Sequence, residues 1–239
     1  MSDAQDKYTQ LKLFATAPHP CSYLPDQEAS TVFVDPSATI DREIYTYLSE
    51  KGYRRSGSFL YKPDCPNCQA CISLRIPVKD YRFSRSEKRV LKRNEDLDVY
   101  TSSHIFTEKF YRLYADYICV RHSDGDMYPP SLEQYQSFLK NGFNSTEYFV
   151  FQKDEEIKAV AVVDILANGL SAIYTFYDPF DQHRSLGTLA VLWQIQQAKA
   201  LELDYVYLGY WVKDCEKMRY KSRFRPAEIY FGKQWIRLK

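Results

Sequence analysis

The sequence predicts an α+β protein in which a cysteine-bearing α/β part precedes a mainly antiparallel sheet flanked by helices. Three observations predict it. Phe106, Phe110, Leu113, Tyr114 and Tyr117 recur at three- and four-residue spacing, which is one face of a helix over 106–121. Residues 147–177 hold consecutive apolar runs of strand length, broken at Lys153-Asp-Glu-Glu156 and at the hairpin signal Asn168-Gly169. Ahead of both lies a compact run of three thiols, Cys65, Cys68 and Cys71. A chain of 239 residues has room for one large or two modest domains. Two parts are expected: a cysteine-containing part over 1–98 and a second domain over 99–239.

The elements follow in order. Residues 41–51 predict a short helix with Ile44, Tyr45 and Leu48 on one face and Gly52 as its stop. Tyr53–Tyr61 predicts a strand bent at Gly57, and Ile72–Val78 another. Ser84 with Glu87 three residues on is a capping-box pattern opening a helix to Asn94. On it Arg85, Arg89 and Lys92 share a face, flanked by Lys88 and Arg93, while Val90 and Leu91 turn to the body. Asp124-Gly125 ends the 106–121 helix, and Tyr128-Pro-Pro-Ser131 leads into a helix over 132–140. Strands over 147–152, 157–166 and 170–177, a loop over 181–185, a helix over 186–203, a strand over 205–209 and one strand within 226–237 complete the chain. This order of elements resembles the GNAT acyltransferase fold, in which the helix after the central strand receives the pyrophosphate of acetyl-CoA. The loop here, Gln182-His-Arg-Ser-Leu-Gly-Thr188, has one glycine where a CoA loop has two closely spaced. The order therefore fits the fold better than it fits that ligand.

Composition narrows the function classes. No apolar run reaches the ~18–20 residues of a membrane helix, and the N-terminal stretch lacks the basic and apolar regions of a secretory signal. A cytoplasmic protein with no membrane partner is expected. The net charge of +1 argues at first against a nucleic-acid ligand. The charge is segregated, however. Residues 51–93 hold 12 basic against 3 acidic side chains, and residues 211–239 hold 9 against 3. A polyanion responds to the local patch rather than to the sum, and a row of cations on one helix face suits a phosphate backbone.

The Cys65-Pro-Asn-Cys68-Gln-Ala-Cys71 spacing lets a tight turn bring three thiols to one ion, with Cys21 as the fourth ligand. Zinc, an iron–sulfur cluster and metal-free reduced thiols all stay open. A disulfide framework is the minor reading in a chain without an export signal. Cys119, inside an apolar helix, reads as a small buried hydrophobe.

Specific residues then carry a resemblance. Cys21-Ser-Tyr-Leu-Pro25, Gly52-Tyr-Arg-Arg-Ser-Gly57, Tyr61-Lys-Pro63, the cysteine run, Arg75-Ile-Pro-Val78 and Ser84-Arg-Ser86 through Lys92-Arg-Asn94 resemble the aminoacyl-tRNA–protein transferases. Arg121-His122, Met127-Tyr-Pro-Pro130, Tyr174-Thr-Phe176, Ser185-Leu-Gly-Thr188, Tyr207-Leu-Gly-Tyr210 and Met218-Arg-Tyr-Lys221 with Arg225-Pro226 continue it through the second half. The short chain and three-cysteine run look like the bacterial, leucine-transferring branch.

The resemblance implies an enzyme that takes leucine from leucyl-tRNA and joins it to the α-amino group of proteins beginning with Asp or Glu, in the N-degron pathway. No cofactor is required for that transfer. The chemistry is aminolysis of an activated ester by an amine of free pKa ~7.7–8.0, so the tasks are positioning and proton removal. Asp178 is the candidate base. Arg85, Lys88, Arg89, Lys92 and Arg93 are candidates for tRNA phosphates. Tyr174, Phe176, Ser185, Leu186, Gly187, Thr188, Tyr207 and Tyr210 are candidates for the leucyl-adenosine end. Arg54, Arg55, Arg75, Arg219 and Lys221 are candidates for the acceptor carboxylate, which a guanidinium binds bidentately. His122 and His183 can orient groups nearby. Arginyl transfer to the same N-termini, acetyl-CoA-dependent N-acetylation and a non-enzymatic nucleic-acid or redox module are the alternatives.

Overall fold

A computed structural model describes residues 10–140 and 142–238. Four short strands, β1 (Leu13–Ala15), β2 (His19–Pro20), β3 (Glu28–Ala29) and β4 (Thr31–Val34), open the described chain. Helix α1 (Arg42–Glu50) follows, held at its start by the Asp41 carboxylate accepting from the Ile44 amide at 2.8 Å. Strands β5 (Arg54–Ser56), β6 (Phe59–Pro63) and β7 (Ile72–Pro77) come next, then α2 (Arg85–Arg93). The capping box expected at Ser84 is formed: the Glu87 amide donates to Ser84 Oγ at 3.3 Å and the Ser84 amide to Glu87 Oε2 at 2.7 Å. Strand β8 (Asp98–Ser102), helices α3 (Glu108–Arg121) and α4 (Leu132–Leu139), and strands β9 (Thr146–Lys153), β10 (Glu156–Ile165) and β11 (Gly169–Tyr177) form the middle. A 3₁₀ turn (Gln182–Arg184), α5 (Leu186–Ala200), β12 (Tyr205–Trp211), a 3₁₀ segment (Glu216–Arg223), β13 (Ala227–Phe231) and β14 (Gln234–Leu238) end it. Among the described residues no helix is long and apolar enough to cross a membrane.

The large sheet has eight strands in the order β14-β13-β7-β12-β11-β10-β9-β8, and a second sheet pairs β1-β4-β6-β5. Alternation along β10 sorts the large sheet's two faces. Ala159, Ala161 and Val163 pack with Leu189, Leu192 and Ile195 of α5. Val160 and Val162 pack with Phe110, Tyr114 and Ile118 of α3 and Tyr135 of α4. A third cluster, with Ile44, Tyr45, Leu48, Leu60 and Tyr207, joins α1 and the small sheet to the large one.

Three expectations change. The tail holds a hairpin rather than one strand, turned at Gly232 and Lys233, whose φ values of 58° and 65° match a tight left-handed turn. Cys119 is exposed, so it is not a core residue. The division at residue 98 does not separate two sheets, because β7 lies between β12 and β13 inside the large sheet.

A polar knot binds the two sheets. Arg55 Nε and Nη2 donate to the two Asp164 oxygens at 2.6 and 2.9 Å, with both side chains sealed from water. The other Arg55 donors reach Gly57 O at 2.8 Å and Thr146 Oγ1 at 3.2 Å. Asp164 also accepts from Tyr45 Oη at 2.5 Å and Thr146 Oγ1 at 2.6 Å. The charged groups at the centre are hydrogen-bonded on every side, the condition under which a buried ion pair is tolerated. Asp164→Ala should therefore destabilise the protein by about 3–5 kcal/mol, since it strands a guanidinium in the core. Asp204→Ala, which opens the exposed pair with Lys79, should change little. Urea titration of both variants checks this, and equal midpoint shifts would refute it.

Candidate active site

The site begins as a defect in the sheet. β11 and β12 are parallel neighbours, yet their ladder joins only Gly169–Ser171 to Tyr205–Tyr207. Beyond that the register of β11 against β10 slips at Ile173, and that of β12 against β7 slips between Tyr207 and Gly209. Bulges on both strands turn them away from each other, and a cleft opens in the middle of the sheet. The backbone groups freed at its apex need other partners. Arg54 supplies them: Nη2 donates to Ala172 O at 2.6 Å and Nη1 to Ser171 Oγ at 2.8 Å. Gly209 makes room. Its φ is +76°, and a β-carbon there would stand 2.6 Å from Arg54 Nε.

Aromatic rings wall the cleft. Tyr210 packs edge-on to Tyr61 and donates to Gly52 O at 2.9 Å. Tyr174 packs against Phe138 and Tyr117, and Tyr177 against Tyr117 and Gly187. Tyr220 comes from the 3₁₀ segment. It keeps 44 % of its surface exposed, yet desolvation and then Tyr177 push its hydroxyl up to about 12. A side chain both open to solvent and hemmed in by protein marks a concave surface. Its neighbour Lys221 donates from Nζ to Tyr210 O at 2.7 Å. Desolvation, and then the positive charge of Arg54, bring this amine down to about 7, with Cys215 acting the other way. Among the described residues neither Arg54 nor Lys221 pairs with a carboxylate.

The N-terminus of α5 lies at the far end of β11. Ser185 has φ +55° and its side chain caps no amide, so the first amides of α5 stay open. The preceding turn is clamped: Arg184 bonds both Asp96 oxygens at 2.7 and 2.8 Å and Asp181 at 3.0 Å. Asn94 and Arg93, at the end of α2, donate to the carbonyls of Arg184 and His183. The basic helix and the turn before α5 are thus one unit.

The candidate residues separate accordingly. Arg54, Lys221, Tyr174 and Tyr210 gather at the cleft, and Ser185, Gly187 and Thr188 stand at the α5 terminus. Arg85, Lys88, Arg89, Lys92 and Arg93 are all exposed on α2. Arg219 is exposed on the 3₁₀ segment. Arg55 is consumed by Asp164 and cannot meet an acceptor. Arg75 is likewise structural: it pairs with Glu228 at 2.8 Å and lies 3.6 Å over Tyr205 and 4.1 Å over Trp235. Phe176 and Leu186 are core residues, and Tyr207 turns its hydroxyl to Arg75 and Asn168 rather than to the cleft. Asp178 serves its turn, with one oxygen accepting from the Phe180 amide at 3.0 Å and the other 3.3 Å from Lys158. His122 bonds Tyr117 Oη at 3.1 Å, and burial lowers its pKa. His183 is exposed, with its carbonyl held by Arg93. Tyr177 joins the site without a sequence pattern that sets it apart from other tyrosines, and Tyr61 and Tyr220 join it from the Tyr61-Lys-Pro63 and Met218-Arg-Tyr-Lys221 stretches, which assign them no role by themselves. The lone glycine inside the Tyr207-Leu-Gly-Tyr210 strand is the available signal, because such a glycine marks a close approach.

Cys21, Cys65, Cys68 and Cys71 line a pocket of about 520 Å³ beside Tyr61 and Tyr210. Among the described residues no three His, Cys, Asp or Glu side chains stand where they could hold a metal ion. Cys65 turns its S–H to Ser30 O at 3.7 Å. Burial and the neighbouring thiols push the Cys71 thiol up to about 12.

Two family models cover most of the chain. One described as arginine-tRNA–protein transferase, N terminus, matches residues 19–89, and one described as its C terminus matches residues 109–231. An aspartate/glutamate leucyltransferase of Stutzerimonas stutzeri is 52% identical over 96% of this chain and 97% of its own length. Proteins of the same name from Pseudomonas fluorescens and Pseudomonas syringae are 51% and 49% identical with the same coverage. Among solved structures, FemX aligns over 86% of this chain and 81% of its own at 6% identity and a TM-score of 0.46, from which nothing about function follows.

The cleft apex yields a test that needs no substrate. Gly209→Ala should lower the unfolding free energy by at least about 1 kcal/mol, from the left-handed backbone and the clash with Arg54. In an Arg54→Ala background the same substitution should cost measurably less. Equal costs in the two backgrounds would show that Arg54 does not occupy the apex.

Proposed function

The chain belongs to the arginine-tRNA–protein transferase family, and from that premise we propose that it transfers leucine from leucyl-tRNA to the α-amino group of proteins beginning with Asp or Glu, marking them for N-degron degradation. The observation that carries this is identity of about half, over nearly the whole length of both chains, to relatives whose name states the amino acid and the acceptors. The geometry supports it. The split sheet with α5 behind it is the arrangement expected of a GNAT-like transferase domain, to which the cysteine-bearing part lends β7.

The parts then take roles. The exposed cations of α2 hold tRNA phosphates. Because Arg93 and Asn94 grip the turn before α5, phosphates bound on α2 set the position of the 3′ end relative to the open amides of Gly187 and Thr188. Those amides and the helix dipole favour the oxygen on which charge develops as the ester carbonyl is attacked. The tyrosine walls receive the leucine side chain. Arg54 is always charged and keeps N–H groups beyond the two it spends on the sheet, so it meets the acceptor carboxylate. The transfer draws on no cofactor, and it takes place in the cytoplasm.

Transfer of radiolabelled leucine from leucyl-tRNA to peptides beginning with Asp, Glu or Ala tests the reading. Label should enter the Asp and Glu peptides and not the Ala peptide. Labelling of Ala peptides, or equal use of arginyl-tRNA, would sink it. Charge reversal at Arg89 and Lys92 should raise KM for leucyl-tRNA. It should also flatten the salt dependence by about one log–log slope unit for each phosphate no longer neutralised. An unchanged slope would remove α2 from the tRNA interface.

A further inference from the structure

An amine that attacks an ester must arrive without its extra proton, and among the described residues no carboxylate at the cleft can take it. Asp178 is committed to Lys158 and the Phe180 amide. The histidines do not replace it, since His122 is turned to Tyr117 and His183 lies on the exposed turn. What the cleft does hold is the half-buried amine of Lys221. Its one hydrogen-bond partner among the described residues is Tyr210 O, an acceptor, so a neutral amine can donate there and keep its lone pair toward the cleft. Around it stand Arg54 from β5, Cys215 at the start of its own segment and the carbonyl of Tyr210 from β12. With a fixed guanidinium nearby and no carboxylate to offset it, the protonated form is disfavoured.

We propose that Lys221 is the base that removes a proton from the acceptor's α-ammonium group. This rests on the leucyl-transfer reading. Neutral Nζ takes one ammonium proton. The freed nitrogen lone pair attacks the ester carbonyl carbon, forming the N–C bond. The tetrahedral intermediate collapses by breaking the C–O bond to the ribose, and the departing oxygen takes the second proton from nitrogen. Lys221 then gives its proton to water at the cleft mouth. One bond forms, one breaks, and nothing is oxidised or reduced.

The acceptor's own carboxylate sharpens the step. Seated on Arg54, it offsets the charge that acts with burial to keep Lys221 neutral, and it raises the amine's proton affinity as the substrate binds; an opposite charge within 4–6 Å moves a pKa by about 1–3 units. With the amine near 7 in the free protein, that brings base and α-amine into the range where transfer is efficient. An acceptor without the carboxylate binds beside a weaker base. Selection for Asp and Glu should then appear in kcat as well as in KM.

Single-turnover transfer to an Asp peptide, with Lys221→Met and Lys221→Ala beside the wild-type protein between pH 6.5 and 8.5, tests this. Leucyl-tRNA affinity and thermal midpoint are measured in parallel to confirm folding. At subsaturating peptide the wild-type rate should rise with pH and level off above about 7, where Lys221 of the free protein is neutral. Both variants should lose on the order of 10²–10⁴-fold at pH 6.5. The deficit should shrink about tenfold or more by pH 8.5, where the free α-amine is mostly deprotonated without help. Added methylamine should restore leucyl-peptide formation by Lys221→Ala, read as peptide product and not as leucyl-methylamide. A deficit equal at every pH with no rescue, or full activity of Lys221→Met at pH 6.5, would overturn the assignment. Absence of transfer by the wild-type protein would instead count against the leucyl-transfer reading.

Discussion

Arg55 and Asp164 close against each other with both side chains out of water, and where β5 lies follows from that pair. Neighbouring residues on a strand point to opposite faces. With Arg55 drawn into the knot on β10, Arg54 is sent to the other side, into the opening between β11 and β12. Two adjacent arginines of identical chemistry thus end in unlike places. One is neutralised by a carboxylate and bonded besides to Gly57, Lys140 and Thr146. The other is held by a carbonyl and a hydroxyl, with its charge left over. The ion pair is a weak contributor to net stability, as buried pairs are, but it sets a location that hydrophobic packing of equal volume would leave free to slide.

That leftover charge organises the chemistry of the cleft. Arg54 substitutes for the strand pairing that the bulges abolish, so the sheet tolerates an opening it would otherwise close. Burial and, after it, the same cation bring the Lys221 amine down toward neutrality. Structural and electrostatic demands therefore meet in one side chain: the group that completes the hydrogen bonding at the apex also helps to lower the pKa of the amine beside it. The tyrosines add a surface that is apolar on its faces and fixed by hydroxyl bonds at its edges, as Tyr210 shows with Gly52.

Much of this is legible in the residues, and the limits have physical reasons. Long amphipathic helices and the capping box at Ser84 and Glu87 announce themselves because their signals are local. Strands of two to five residues in 13–34 and at 98–102 carry too few positions for a period to show. The place of β7 inside the large sheet depends on pairing with strands more than a hundred residues later, which no local pattern records. Among the acceptor candidates the residue type is right and the partner is invisible: Arg54, Arg55 and Arg75 look alike until Asp164 and Glu228 claim two of them. Phe176 and Leu186 mislead for the same reason, since an aromatic or apolar strand end reads alike whether it faces a cleft or a core.

The near-zero net charge finally has a structural sense. The cations of α2 are exposed, and Arg93 and Asn94 tie the end of that helix to the turn before α5, so on the proposed reading a polyanion held there would have its end near the cleft. Outside residues 51–93 and 211–239 the chain is net acidic, and long-range attraction at physiological ionic strength fades within about a Debye length of ~8 Å. A polyanion would therefore feel the two basic stretches closely and little beyond them. Tight, extended binding would slow departure of the uncharged tRNA after transfer, while short, separate basic stretches would allow it to leave. Local grip with global neutrality suits a protein that must exchange its polyanion on every turnover, and it explains why the sum of charges is a poor guide to the ligand.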